Sequence, residues 1–142
     1  MLSSNCLEHI ANPLKAIKEW KRVIKNSGYI LIIVPNKKSN FDHKRTFTKF
    51  DNILSDFKNN IQENDLSHLD EILRLHDLSK DLAAGNYESF KARSLKNYQN
   101  RFLHHHVFNL ELLELSLVFF KFRVLDKFED NSDFYILGQK NI

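Results

Sequence analysis

Residues 29–35 read "YILIIVP", seven positions without a charged side chain or any polar alternation. Such a run is what a strand covered on both faces requires, and strands of that kind belong to parallel sheets. The preceding residues show how the chain arrives there. Asn12 is a good helix N-cap, Pro13 suits the first helical position, and Leu14, Ile17, Trp20, Val23 and Ile24 recur at helical spacing until Gly28, a stop signal. A helix that packs on a sheet and feeds a doubly buried strand is the second half of a strand-helix-strand crossover, so a strand is expected before it. "MLSSNCL", residues 1–7, is the candidate. It is short and half polar, suited only to the carboxyl end of a strand. The body of that strand is therefore expected to lie upstream of Met1.

Composition narrows the class. The 142 residues suffice for one domain with a core, and 42% apolar with 27% charged residues is the balance of a soluble globular chain. The single cysteine, Cys6, forms no internal disulfide and is too little for a structural zinc site, which points to a reducing compartment, the cytoplasm. No early segment has the pattern of a signal peptide, and the apolar run is far below the roughly 20 residues of a membrane span. The net charge of +3 is uneven: residues 1–46 carry nine basic and three acidic side chains. Lys15, Lys18, Lys21 and Lys25 fall on helical spacing, so a solvated helix face explains most of the excess. Nucleic acid is not an expected partner, because the aromatic residues are not interleaved with the basic ones as a stacking platform needs.

Past Pro35 the chain turns polar and basic. "NKKSNFDHKRTFT", residues 36–48, leaves the carboxyl end of a parallel strand, the edge where open α/β sheets bind ligands. Helical spacing continues over 48–57, 65–77 and 87–107, and an apolar helix is expected over 110–119. Two strand-like runs, "FKFRVLDKF" and "DFYILG", flank the turn-rich "EDNSD" and suit an antiparallel hairpin.

The stretch "SSNCLEHIANPLKAIKEWKRVIKNSGYILIIVPNK" resembles the second half of the class I S-adenosylmethionine-dependent methyltransferase domain, in the methyltransferase type 11 group. The resemblance rests on Leu7, Glu8, His9 and Ile10 after a short polar segment, on Glu19, Trp20, Arg22 and Val23 in the helix, and on the glycine before the apolar strand. "FDHKRTFT", "DLSHLDEILRLHDLSKDLAAG" and "RFLHHHVFN" are similar to the insertion and late helices of bacterial members. The implied fold is an α/β partial Rossmann-like sheet, strands four to seven, with an inserted helical cap. Its expected parts are a strand-helix-strand core at 1–46, a helical insertion at 47–109, and a last helix and terminal hairpin at 110–142. Cys6 and Ser27 depart from the usual aliphatic residue and glycine.

By the same resemblance the cofactor is S-adenosylmethionine and the reaction is methyl transfer to a small polar acceptor. Ser3, Ser4 and Asn5, with Glu8 beyond them, are the expected cofactor-binding residues. A glycine-rich turn that would hold the rest of the cofactor is missing, since glycines occur only at 28, 85 and 138. The fragment is therefore expected to need the amino-terminal half for activity, and its exposed fourth-strand edge invites dimerisation or aggregation. The expected catalytic residues are His9, Asp42 and His43 as base and orienter, Arg45 as an anchor for an anionic substrate group, and His105. On a helix, His104, His105 and His106 point about 100° apart and cannot chelate one ion from one face, so no metal is expected. One rival reading starts from "LHDLSKD", residues 75–81, where His76 and Asp77 resemble the pair of metal-dependent HD-type phosphohydrolases, with His43 or His68 and Asp126 completing the set. Another is a non-catalytic remnant acting as a binding module.

Overall fold

A computed structural model describes residues 1–141. Four strands, β1 (Leu2–Ser4), β2 (Tyr29–Pro35), β3 (Phe122–Glu129) and β4 (Asp133–Lys140), form one sheet in the order β1-β2-β4-β3. β1 runs parallel to β2, and the sheet then continues antiparallel through the terminal hairpin. The chain is thus α/β, with helices α1 (Pro13–Val23), α2 (Phe50–Lys58), α3 (Leu69–Leu75), α4 (Tyr87–Leu95), α5 (Asn97–Asn100) and α6 (Leu110–Phe119). Among the described residues, no helix is long and apolar enough to cross a membrane.

The crossover forms as its residues demand. Asn12 Oδ1 accepts the Lys15 N–H at 3.1 Å, which caps α1, while Asn12 Nδ2 donates to the carbonyls of Asp56 and Ile61 and ties the helix start to the end of α2. At the hairpin, Asp130 Oδ1 accepts the Ser132 and Asp133 N–H groups, both at 2.8 Å, and sets the turn.

β2 differs from expectation in one respect. Ile30, Ile32 and Val34 are wholly buried, whereas Leu31 and Ile33 are only half-buried and Tyr29 is exposed. The reason is that Leu14 and Ile17 of α1, Ile53 of α2 and Leu113 and Leu117 of α6 all join one cluster on the Ile32 side. The register puts Leu2, Leu31, Ile33, Tyr135, Leu137 and Phe128 together on the opposite face.

The single helix expected over 87–107 also resolves differently. It ends at Asn100, Arg101 adopts a left-handed conformation (φ 59°), and residues 102–109 continue outside any helix or strand. Local side chains account for the break. Buried Asn97 accepts the Leu103 N–H at 2.9 Å and Asn100 Oδ1 accepts that of Phe102 at 3.1 Å, so both backbone donors are satisfied without a helix. The extended segment then docks: the Thr48 N–H donates to the Val107 carbonyl, and the His105 N–H to that of Glu8. Ile72, Ala84, Phe90 and Leu103 form a second, smaller apolar cluster beneath it.

Gly138 lies where α6 presses on the sheet, and a Cβ there would stand 3.0 Å from Leu117 Cδ1 and 3.3 Å from Ile30 Cγ2. Gly138→Val is expected to lower the unfolding free energy by about 1–3 kcal/mol through overpacking, read from the urea midpoint.

Candidate functional site

Three loops converge at the carboxyl ends of β1 and β2: residues 5–11, residues 36–47 and the extended segment 101–108. Arg45, 2% exposed, ties the second of these to the third and to α3. Its Nη1 donates to Asp42 Oδ1 at 2.9 Å and to the His104 carbonyl at 2.8 Å, its Nη2 to the His105 carbonyl at 3.2 Å, and its Nε to Glu71 Oε1 at 3.0 Å. These partners occupy the guanidinium from inside the protein. Arg45 thus stands as a tie between segments, and it also lines a cleft shared with Thr46, His68 and Glu71.

Asp42, also buried, meets His104 Nδ1 with Oδ2 at 2.5 Å. Burial alone would raise the Asp42 carboxyl, but the hydrogen bonds and charges of His104 and Arg45 outweigh it and hold the group below its ordinary value. Because a carboxylate only accepts, His104 Nδ1 carries the proton of this bond, so that in the neutral imidazole it is Nε2 that presents a lone pair. His9 is arranged likewise, with Nδ1 3.1 Å from the Leu103 carbonyl. The rings of His9 and His104 meet edge-on, centroids 4.6 Å apart. Burial, with His104 nearby, depresses the His9 pKa.

Glu8 lies beside them, 2% exposed. Burial raises its carboxyl pKa, and Oε2 has no hydrogen-bond partner. Ser3, at the end of β1, is buried with an unpartnered hydroxyl, while Ser4 and Asn5 are exposed and Asn5 turns through φ 45°. An open cleft of about 530 Å³ borders this turn, lined by Asn5, Cys6, His9, Ile10, Ala16 and Arg101 among others.

The remaining expected residues lie apart. His43 meets not Asp42 but Asp77, Nε2 to Oδ2 at 2.6 Å. The Asp77 carboxyl sits well below its ordinary range, through the Ser79 hydroxyl and then His43. Buried His105 accepts from Asn97 Nδ2 at 3.1 Å, and burial lowers its pKa to about 4. It lines a separate cleft shared with Arg45, His68 and Glu71. His106 donates from Nε2 to the Ala11 carbonyl at 3.1 Å, and burial lowers it to about 3. The adjacent His76 and Asp77 diverge as well: His76 pairs with Asp81 at 3.0 Å between the rings of Phe41 and Phe90, so they do not form the paired ligands of an HD-type centre.

Composition and spacing gave His104 no role of its own. Outside a helix, His104, His105 and His106 reach different partners, Asp42, Asn97 and the Ala11 carbonyl.

Residues 1–32 match the sequence model of a family described as a methyltransferase domain. They span β1, the Leu7–Ile10 turn, α1 and the first half of β2, so the match covers Ser3, Glu8 and His9 but neither Asp42 nor His104. Neither the curated proteins nor the solved structures include one that matches the chain.

Two outcomes follow from the buried charges. Arg45→Met leaves Asp42 buried without its cation and is expected to cost about 3–5 kcal/mol in chemical denaturation. His76 has its pKa depressed by burial below 6.5. A histidine of that kind binds its proton more readily when unfolded, so its contribution to stability is complete above pH 6.5 and is lost as pH falls toward the folded pKa. His76→Phe is expected to flatten the stability profile between pH 7 and pH 5, and an unchanged slope would contradict this reading.

Proposed function

We propose that the chain forms the acceptor-side portion of an S-adenosylmethionine-dependent methyltransferase acting on a small polar molecule. The observation that carries the reading is the match over residues 1–32, which coincides with a parallel strand pair joined by a helix and ending in the Glu8–His9 turn. In this reading β1 and β2 are the fourth and fifth strands of the methyltransferase sheet, and the terminal hairpin supplies the sixth and seventh. Residues 47–109 are the inserted cap.

The residues present fit one half of the cofactor. Asn5 borders the cleft, and with the exposed Ser4 and the buried, unpartnered Ser3 hydroxyl just before it the turn suits the methionine half. For the adenosine half, none of the glycines at 28, 85 and 138 belongs to a glycine-rich turn at a strand's carboxyl end, so that part of the site falls to upstream strands. The free edge of β1 and the apolar face carrying Leu2, Leu31 and Ile33 are compatible with such strands and the helices that would cover them.

S-adenosylmethionine supplies an electrophilic methyl group, so the protein's work is to hold the acceptor in line and manage its proton. Glu8, His9 and His104 meet the acceptor. Asp42 is a positioning residue that fixes the His104 tautomer, and Arg45 fixes Asp42. His43 and His105 take supporting places, through Asp77 and Asn97.

The test is transfer of a tritiated methyl group to a panel of small hydroxyl and amino acceptors, using protein expressed with whatever coding sequence precedes Met1. Methylated product is expected, and Asp42→Asn should lower kcat by about 10²-fold or more while S-adenosylhomocysteine binds as before. Protein that transfers no methyl group and binds no S-adenosylhomocysteine contradicts the proposal.

A further inference from the structure

Glu8, His9 and His104 each bring one ligand atom within 4.8 Å of the other two. The hydrogen bonds around them leave each residue one atom to offer. His104 Nδ1–H donates to Asp42 and His9 Nδ1–H to the Leu103 carbonyl, so each imidazole, when neutral, keeps an Nε2 lone pair. Glu8 Oε2 is buried and unpartnered, and Oε1 lies 3.7 Å from His9 Nε2, too far for a good hydrogen bond. One proton can bridge two of these atoms, whereas a divalent cation satisfies all three.

We propose that Glu8, His9 and His104 bind a divalent transition-metal ion. Two imidazoles and one carboxylate suit Zn²⁺, Fe²⁺ or Co²⁺ better than Mg²⁺ or Ca²⁺, which prefer oxygen alone. The outer contacts are those a metal site uses: a carboxylate on one histidine and a backbone carbonyl on the other fix both tautomers and strengthen the ligands. Arg45 holds the carboxylate, and the His105 N–H bonds to the Glu8 carbonyl at 2.8 Å, which sets the two ligand segments in register. Three protein ligands leave a position for water or for an oxygen of a bound molecule, and His9 places that position beside the cleft.

A second trio, Asp56, His68 and His106, is equally close but lacks this support. Among the described residues no hydrogen bond fixes the His68 ring.

The experiment titrates untagged, chelator-stripped chain with ZnCl₂ by calorimetry and with CoCl₂ by visible absorption, without S-adenosylmethionine. One ion per chain is expected, with Co²⁺ ligand-field bands. Glu8→Gln and His104→Gln should each weaken binding by at least about 100-fold, more than the 10- to 100-fold expected for Asp42→Asn, while His68→Gln leaves it unchanged. Circular dichroism of each variant confirms that it folds, and the Co²⁺ spectrum of the parent is informative without any variant. Absence of binding, or binding lost in His68→Gln and kept in Glu8→Gln, overturns the proposal. The methyl-transfer assay is run separately, so that failure of metal binding and failure of the proposed reaction are told apart.

Discussion

A guanidinium removed from water must find its donors' partners within the protein, and Arg45 does so by drawing on three separate segments of the chain. Its contacts reach Asp42 on its own loop, Glu71 at the start of α3, and the backbone of His104 and His105 in the extended segment. Each partner is fixed in turn by the demand that the buried charge be met. The orientation of His104, and through it the geometry around Glu8 and His9, follows from this one side chain. Without Arg45, Asp42 would be a buried anion with only an imidazole to compensate it, and the Asp42–His104 contact would lose its reason to form.

The sheet plays a different part. It sets the carboxyl ends of β1 and β2 side by side, so that the turn at Asn5 and the loop after Pro35 leave from one edge. α1, α2 and α6 cover one face and seal it with Leu14, Ile17, Ile53, Leu113 and Leu117. The other face keeps its apolar residues partly open. This asymmetry explains why β2 can look doubly buried in sequence while only alternate residues are fully enclosed.

How much could be read in advance depended on whether the determining contacts were local. The crossover was legible because Asn12, Pro13 and the apolar stripe act locally, although α1 ends at Val23, short of Gly28, and the left-handed turn residue is Ser27; the hairpin was legible because Asp130 organises its own turn. α6 was legible for the same reason, with Asn109 accepting the Leu112 N–H at 2.8 Å as its cap. The end of the helix near residue 100 was not, since nothing in the spacing of 87–107 reveals that the Asn97 side chain will capture the Leu103 N–H. That one event turns the His104–His106 run from a helix into an extended strip and sends each histidine to a different partner. Asp42 and Arg45 stood out by chemical type, but their partners lie some 60 residues away in sequence, at His104 and His105. Proximity in sequence suggested His43 as the neighbour of Asp42; the fold gives His43 to Asp77 instead.

The chain of dependence from Arg45 to Asp42 to His104 ends in a statement about one proton on each of two rings. Long-range ¹H–¹⁵N NMR of the histidine side chains near neutral pH reads it directly. The account predicts that His9 and His104 carry their proton on Nδ1, with Nε2 unprotonated. Signals showing either ring as the Nε2–H tautomer would contradict it, because the lone pairs that define the site would then be absent.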